Sequence, residues 1–317
     1  MQVAFGRPDQ AARVGRVINN ETQTDFVDLN CGCPIDPVTS KGLGSSLMRK
    51  PQRLLDIVSA MMKVFDRSVT VKLRTGWNDP IAHKIIPQLQ ARNASSGGKI
   101  AAIMIHGRNR QQRYTKEADW GYIYEAAKAQ DPSLPLIPVI GNGDILTYDD
   151  WKSHQMMVRD SLDSEQQGLC SCAMIARGAI IKPWLPQEIK EHRTIDISSS
   201  ERFEMLRKFC SFGFEHWGSD HKGVETTRRF LMEWLSYLCK YVPSDMLLSP
   251  QKMQQRPPLF RGRDEMEQLM GSCRADDWVK ISEMLLGPVP PDFKFEAKHK
   301  SSNAAYSSEH DNDYARG

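Results

Sequence analysis

Six short runs rich in β-branched residues alternate with amphipathic stretches at helical spacing, and chemically loaded side chains follow nearly every run. Together these observations predict an α/β fold on a parallel sheet, of the TIM (β/α)8 barrel type, followed by a small all-helical domain. The runs are QVAF (2–5), DFVDLN (25–30), VTVKLR (69–74), AAIMIH (101–106), LIPVIG (136–141) and CAMIAR (172–177). A doubly wound sheet gathers its ligands at one switch point, whereas a barrel opens every strand end onto one shared face. Cys33, Lys72 with Arg74, His106 with Arg108, Asn142 with Asp144, and Arg177 each follow a different run, which favours the barrel. A closed barrel of this kind needs about eight strands. With six runs counted, the expectation is that the first two βα units are absent from this chain.

The elements follow in order. A helix beginning at Pro8 carries Ala11, Val14, Val17 and Ile18 inward, and a second beginning near Pro51 carries Leu54, Leu55, Val58, Met61, Met62 and Phe65. Proline suits a first helical turn, where no amide donor is needed. In VTVKLR, Thr70, Lys72 and Arg74 share one face and Val69, Val71 and Leu73 the other. Two cations pointing into a barrel mouth call for an anionic or electron-rich partner. The competing reading, an edge strand with a solvated basic face, fits the apolar flanks less well. His106, beside Arg108, lies on the expected active face and suits contact with a cofactor. IGNGDI (140–145) and MIARG (174–178) put glycine between strand and helix, where close backbone approach and helix N-terminal amides suit a phosphate. The polar segment 158–170 reads as a loop or insertion.

From about residue 196 the pattern is purely helical. Ser198 and Glu201 form a capping box, Gly218 ends that helix, and a second helix is stopped by Pro243. Helical pieces follow around 264–270 and 275–286. The domains expected are therefore a (β/α) barrel over 1–195, a helical domain over 196–286, and a partly disordered proline-rich, then polar tail over 287–317.

The chain has 317 residues, 40% apolar and 26% charged, with a net charge of +3. That mild balance permits an acidic partner without demanding one. No run of about 18 apolar residues exists, so no membrane span is expected. Seven scattered cysteines read as reduced thiols in an intracellular compartment, cytoplasmic or nuclear.

The stretch LNCGCPIDPVTSKGLG (29–44) places Cys31 and Cys33 one residue apart, and Cys170 and Cys172 form a second such pair. Zinc sites favour C-x2-4-C spacing and redox pairs C-x-x-C, so no metal is expected and one thiol acting alone is the better reading. A structureless loop as long as that from Cys31 to Lys50 is usually a functional lid. A thiol with a pKa near 8.5 is about 97% protonated at pH 7 and available as an acid. Lys41 in the same loop leaves open a depressed pKa and a nucleophilic role. On the helical side, Lys208, Lys222, Arg228, Arg229 and Lys240 decorate two helices whose Phe230, Leu231, Trp234, Leu235 and Leu238 face inward. They form either two solvated amphipathic faces or a surface that tracks phosphates.

DFVDLNCGCPID (25–36), VTVKLRTGW (69–77), MIHGRNRQQRYTKEADW (104–120), IGNGDI (140–145), residues 174–202, HWGSDHKGVETTRRFLMEWLSYLCKYVP (216–243) and ISEMLLGPVPP (281–291) resemble the tRNA-dihydrouridine synthase family. The resemblance covers residues 1 to about 300 and points to the eukaryotic type 3 branch, which modifies uridine 47 in the variable loop. It implies a barrel that binds FMN, with NADPH (or NADH) as reductant, hydride delivered to C6 of an extruded uracil, and a cysteine that protonates C5. The matching cysteine is Cys33, before Pro34. Gln2, Lys72 and His106 match flavin contacts, and Asn142, Gly143 and Asp144 with Ala176 and Arg177 match a phosphate grip. Cys31 stands where the family has a small aliphatic residue and receives no role. The implied partner is tRNA, with mRNA as a further target, and the implied state is a monomer. The resemblance implies that the family's first two βα units, and the zinc-finger region and basic extension upstream in the type 3 branch, are expected to be absent from this sequence. Two other readings stay open: an FMN-barrel oxidoreductase for a small dihydropyrimidine-like substrate, and a non-catalytic RNA-binding remnant.

Overall fold

The computed structural model describes residues 1–113, 115–161, 170–243 and 260–298. Six parallel strands form one sheet in sequence order: β1 (Gln2–Val3), β2 (Phe26–Asn30), β3 (Ser68–Arg74), β4 (Ile100–His106), β5 (Val139–Asn142) and β6 (Ala173–Met174). Parallel crossovers are right-handed, so an order without reversal keeps all crossover helices on one side and creates no switch point. Among the described residues β1 pairs only with β2, and β6 only with β5. Among the described residues the sheet is therefore open, in keeping with six strands counted where a closed (β/α)8 barrel needs about eight. Each edge strand is two residues long.

Register turns the alternation of each strand into two continuous faces. Gln2 lies beside Asp28, Asp28 beside Thr70, Thr70 beside Ala102, Arg74 beside His106, and His106 beside Asn142. The opposite face holds Val27, Leu29, Val69, Val71, Leu73, Ile103, Ile105 and Val139, each no more than 1% exposed. At about 25 cal/mol per Å² of apolar area, burying these side chains gives that face its main stabilisation.

The crossover helices are α1 (Pro8–Glu21), α3 (Pro51–Val64), α4 (Ala82–Ser95), α5 (Trp120–Lys128) and α6 (Tyr148–Ser161), with a one-turn α2 (Asp36–Thr39) before α3. In α3 the six expected inward residues, Phe65 just beyond its end included, are all buried. In α1 the inward stripe is Ala11, Gly15 and Ile18. Val14 and Val17, expected inside, are 40% and 58% exposed. The cause is Gly15: a Cβ there would lie 2.7 Å from Val64 and 2.8 Å from Met61. The close α1–α3 approach centres on that glycine and turns both valines outward. Helix α6 runs through Ser161, into the segment expected to be a loop from 158, whereas residues 162–169 of that segment lie outside the described residues.

Contacts divide the chain into two compact units, residues 1–145 with 149–176, and residues 146–148 with 177 onward. The second holds α7 (Arg177–Ile181), α8 (Leu185–Glu191), α9 (Ser199–Trp217), α10 (His221–Leu238), α11 (Glu265–Met270) and α12 (Ala275–Leu286). Ser198 and Glu201 cap α9 reciprocally, and Gly218 closes it at φ 89°. The core of this unit gathers Leu206, Cys210, Leu231, Met232, Leu235, Leu238, Trp278 and Ile281. Trp234 of α10 donates from Nε1 to the Ile180 carbonyl at 2.9 Å, which ties α7 into the helical unit ahead of residue 196. Of the expected tail, Phe293, Phe295 and Ala297 lie against this core, and 299–317 are outside the described residues.

Candidate active site

The polar face of the sheet collects the chemistry. Lys72 reaches across β4 and donates from Nζ to Asn142 Oδ1 at 2.9 Å. Burial, aided by the like charge of Arg74 and opposed by Asp28, lowers its amine to about 8. Deeper on this face Asp28 accepts from Thr70 Oγ1 at 2.8 Å and from Gln2 Nε2 at 2.5 Å. Gln2 Oε1 accepts from Asn30 Nδ2 at 3.0 Å, so Gln2 stands at the β1 edge as a link in the polar row.

Cys33 occupies the turn that leaves β2. Asn30 Oδ1 accepts the backbone N–H of Gly32 at 3.2 Å and of Cys33 at 3.0 Å. Buried Arg74 donates from Nε to the Gly32 carbonyl at 2.8 Å and from Nη1 to the Asn109 carbonyl at 3.0 Å. The Cys33 carbonyl accepts from the Ser45 N–H at 3.0 Å. Gly44, at φ 59°, comes so near that a Cβ would lie 2.7 Å from that carbonyl oxygen. These contacts fix the Cys33 backbone while its side chain stays half-buried. Cys31 is buried, and burial together with the Asp28 charge raises its thiol far above the ordinary range.

The loop from Cys31 to Lys50 is not a structureless lid. It folds into α2, started by Pro37, and a 3-10 turn over Gly44–Arg49. Asp36 of α2 accepts from Arg110 and from Arg113. Arg49 and Arg110 stand over the Trp77 ring, 5.2 and 4.8 Å from its centroid.

At the ends of β4 and β5 a bracket forms around fully buried Arg108. It donates from Nη2 to Asp144 at 2.5 Å, from Nε to the Lys116 carbonyl at 2.5 Å, and its Nη1 lies 3.2 Å from His106 Nε2. Arginine carries only donors, so Nε2 is the accepting nitrogen of His106. Asp144 also accepts the Ala118 N–H at 2.7 Å. Asn142 is engaged at both ends, by Lys72 and by its own Nδ2 donation to the Met174 carbonyl at 2.8 Å. Gly143, at φ 129°, would place a Cβ 2.5 Å from Ala118 and 3.2 Å from the His106 ring. Contacts within the protein therefore account for that glycine.

Asn142, Gly143 and Asp144 thus lie together at the β5 end, with Lys72 and His106 in the same row. Exposed Ala176 closes the first unit, and Arg177 opens α7 of the second. Asn30 was not singled out by the sequence, and Arg108 was named only as the charged neighbour of His106 on the expected active face. The signal was available for Asn30, which shares the Lys72 face by strand alternation, and not for Arg108, whose depth is a tertiary property.

In the helical unit, Lys208, Lys222 and Arg229 are exposed and Lys240 is half-buried. Arg228, expected beside them as a surface cation, is 1% exposed. It donates to Glu225 at 3.0 Å, to Ser282 Oγ at 2.9 Å, and to the carbonyls of Leu286, Gly287 and Pro288 at 3.4, 3.0 and 3.2 Å. The last carbonyls of a helix lack helical donors, and this guanidinium supplies them to α12. Phe230, expected inside, is 48% exposed and stacks on Trp217 at 4.7 Å. Among the described residues no group of His, Cys, Asp and Glu could hold a metal ion, and no helix is long and apolar enough to cross a membrane.

Sequential parallel strands with their polar end residues on one face place the first unit in the (β/α) class of domain. A family profile described as Dihydrouridine synthase (Dus) matches residues 1–239, through the whole sheet and into the helical unit as far as the end of α10. The chain belongs to the dihydrouridine synthase family. Over 305 residues it is 48% identical to a protein of Oryza sativa subsp. japonica and to one of Homo sapiens, each named tRNA-dihydrouridine(47) synthase [NAD(P)(+)]-like. The match takes in 95% of this chain and 42% and 44% of theirs. A Cryptococcus neoformans var. neoformans protein named tRNA-dihydrouridine(47) synthase [NAD(P)(+)] is 45% identical over 315 residues, 95% of this chain and 41% of its own length. The chain thus spans less than half the length of these relatives.

Proposed function

We propose that this chain reduces a uridine of tRNA to 5,6-dihydrouridine, at position 47 of the variable loop, with FMN as its flavin and NADPH or NADH as reductant. The observation that carries the reading is the half-buried Cys33, its backbone fixed by Asn30, by Ser45 and, through the Gly32 carbonyl, by Arg74, at the end of a polar face that also bears Lys72. Membership of the dihydrouridine synthase family and the names of its relatives support the reaction and the RNA.

The residues fit a flavin at the ring end. Lys72, Arg74 and Arg108 bring positive charge to this region, which suits a ring on which negative charge collects. FMN, once bound and reduced by NADPH or NADH, would supply the hydride received by uracil C6. In this reading Gln2, Lys72 and His106 face the ring. Within the first unit the phosphate falls to backbone groups at Asn142, Gly143, Asp144 and Ala176, because the Asn142 and Asp144 side chains are already engaged within the protein, and Arg177 is assigned to the phosphate by the family match alone.

Cys33 gives its Sγ proton to C5 while C6 gains hydride, so both carbons become saturated, and the resulting thiolate is reprotonated from solvent. Cys31 is buried and cannot approach a base. The uracil must leave its stack to reach the thiol. Exposed Lys208, Lys222 and Arg229 hold RNA phosphates. A cytoplasmic or nuclear setting belongs to the same proposal.

The test is dihydrouridine formation in tRNA by the 317-residue chain supplied with FMN and NADPH, read by mass. Cys33→Ala is expected to slow it by roughly 10²–10⁴-fold, the usual worth of a positioned acid, with flavin content and tRNA affinity nearly unchanged. Cys31→Ala is expected to be mild. An active Cys33→Ala beside an inactive Cys31→Ala reverses the assignment.

A further inference from the structure

Two cysteines that the proposed reaction does not use meet inside the helical unit. Cys273 Sγ lies 3.7 Å from Cys239 Sγ, although 34 positions separate them in the chain. Cys239 closes α10 and is buried; its backbone N–H donates to the Leu235 carbonyl at 3.0 Å. Cys273 is exposed in the short connection between α11 and α12. That connection is anchored on the near side, where the Gly271 N–H donates to the Glu267 carbonyl at 2.9 Å and Ser272 Oγ donates to Asp277 at 2.6 Å. Trp278 Nε1 holds the Ser272 carbonyl at 2.8 Å. Both thiols are thus presented to each other by fixed backbone, one of them within reach of solvent.

We propose that Cys239 and Cys273 are a redox-responsive pair that closes to a disulfide within the helical unit when the protein meets a two-electron oxidant such as hydrogen peroxide. Exposed Cys273 reacts first. Its thiolate displaces hydroxide from peroxide, giving a sulfenic acid, and water forms on protonation. The Cys239 thiolate then attacks that sulfur and expels hydroxide, which leaves as a second water. Two thiols and one peroxide become one disulfide and two waters. Contact with Cys273 and burial hold the Cys239 thiol well above its ordinary range, and the neighbouring Lys240 works in the opposite direction. The neighbouring Lys240 ammonium favours the Cys239 thiolate that the second step uses. The product ties the end of α10 to the α11–α12 connection and constrains the segment between them, which limits the unfolded chain.

The test uses the full chain, purified reduced, with flavin and RNA both irrelevant to the readout. Of seven alkylatable thiols, five are expected after mild peroxide, with a Cys239–Cys273 cross-linked peptide recovered by mass and lost on reduction. The unfolding midpoint of the oxidised protein should rise by about 4 °C or more. Cys273→Ser, at an exposed position, should keep all six of its thiols under the same peroxide and show no such rise. Seven thiols surviving in the parent chain, or cross-links that run through Cys172 or between two chains instead, would overturn the proposal.

Discussion

Arg228 and Arg229 are neighbours in sequence with opposite surroundings. Arg228 closes α12 from within, so Arg228→Met strands three carbonyls and the Glu225 carboxylate; a loss of about 3 kcal/mol is expected, the scale for breaking a buried charged network. Arg229 stands exposed over the Phe293 ring at 5.3 Å, and Arg229→Ala is expected to change stability by no more than about 0.5 kcal/mol. Combined with Lys222→Ala it should weaken tRNA binding and flatten the salt dependence. Urea midpoints and salt-titrated affinities separate the two outcomes, and equal destabilisation by both arginine changes would refute the distinction. Composition shows the two charges as equals. The spacing 228, 231, 235, 238 nonetheless puts Arg228 on the same helical stripe as Leu231, Leu235 and Leu238, so its burial was legible from periodicity. The proposal of Cys33 as the reacting thiol rests on Pro34 and the resemblance, whereas the burial of Cys31 needed the packed sheet.

Elements keep their own pH limits. His154 of α6 stacks on Trp120 of α5 with 3.9 Å between centroids, and burial lowers its pKa to about 4. An unfolded histidine near pH 6.5 takes its proton first, so this stability is complete above about 6.5 and is lost as pH falls through about 4. Solvent screening of the partly exposed ring reduces the size of this loss. His154→Phe keeps the stack and removes the titration, so its urea midpoint should fall less between pH 7 and 4. Parallel pH curves for parent and variant would assign the acid loss to another group. All six strands were legible because β-branched runs and period-two alternation are local. The α1 face was misread because hydrophobicity nominated Val14 and Val17, whereas the close approach selected Gly15. After β5, Ala118 and His106 already exclude a side chain at Gly143, so packing alone accounts for that glycine and its presence is no independent sign of a phosphate turn.

Closure of a sheet and the boundary between units are properties of the whole molecule, and no window of sequence contains them. Strand counting gave six, and the sheet has six, yet whether edges meet depends on pairing between the first and last strands. The boundary moved for a similar reason, since a single indole hydrogen bond from α10 helps to draw α7 into the helical unit. Strand order, by contrast, followed from the regular βα rhythm, and it brings Cys33, Lys72, His106 and Asn142 to one end.

The two faces of the sheet carry a consequence for variation. On the four inner strands the polar face falls on even residue numbers, 28, 30, 70, 72, 74, 102, 104, 106, 140 and 142, and the helix-covered face on odd ones. A saturation library scored separately for cellular abundance and for dihydrouridine output should therefore show a two-residue beat. Substitutions at 27, 29, 71, 73, 103 and 105 are expected to depress abundance, while those at 30, 72 and 106 spare abundance and depress output. The two scores would be out of phase along each strand. A single-residue deletion inside β3 would invert that phase, driving Lys72 and Arg74 into the layer that Val71 and Leu73 now fill.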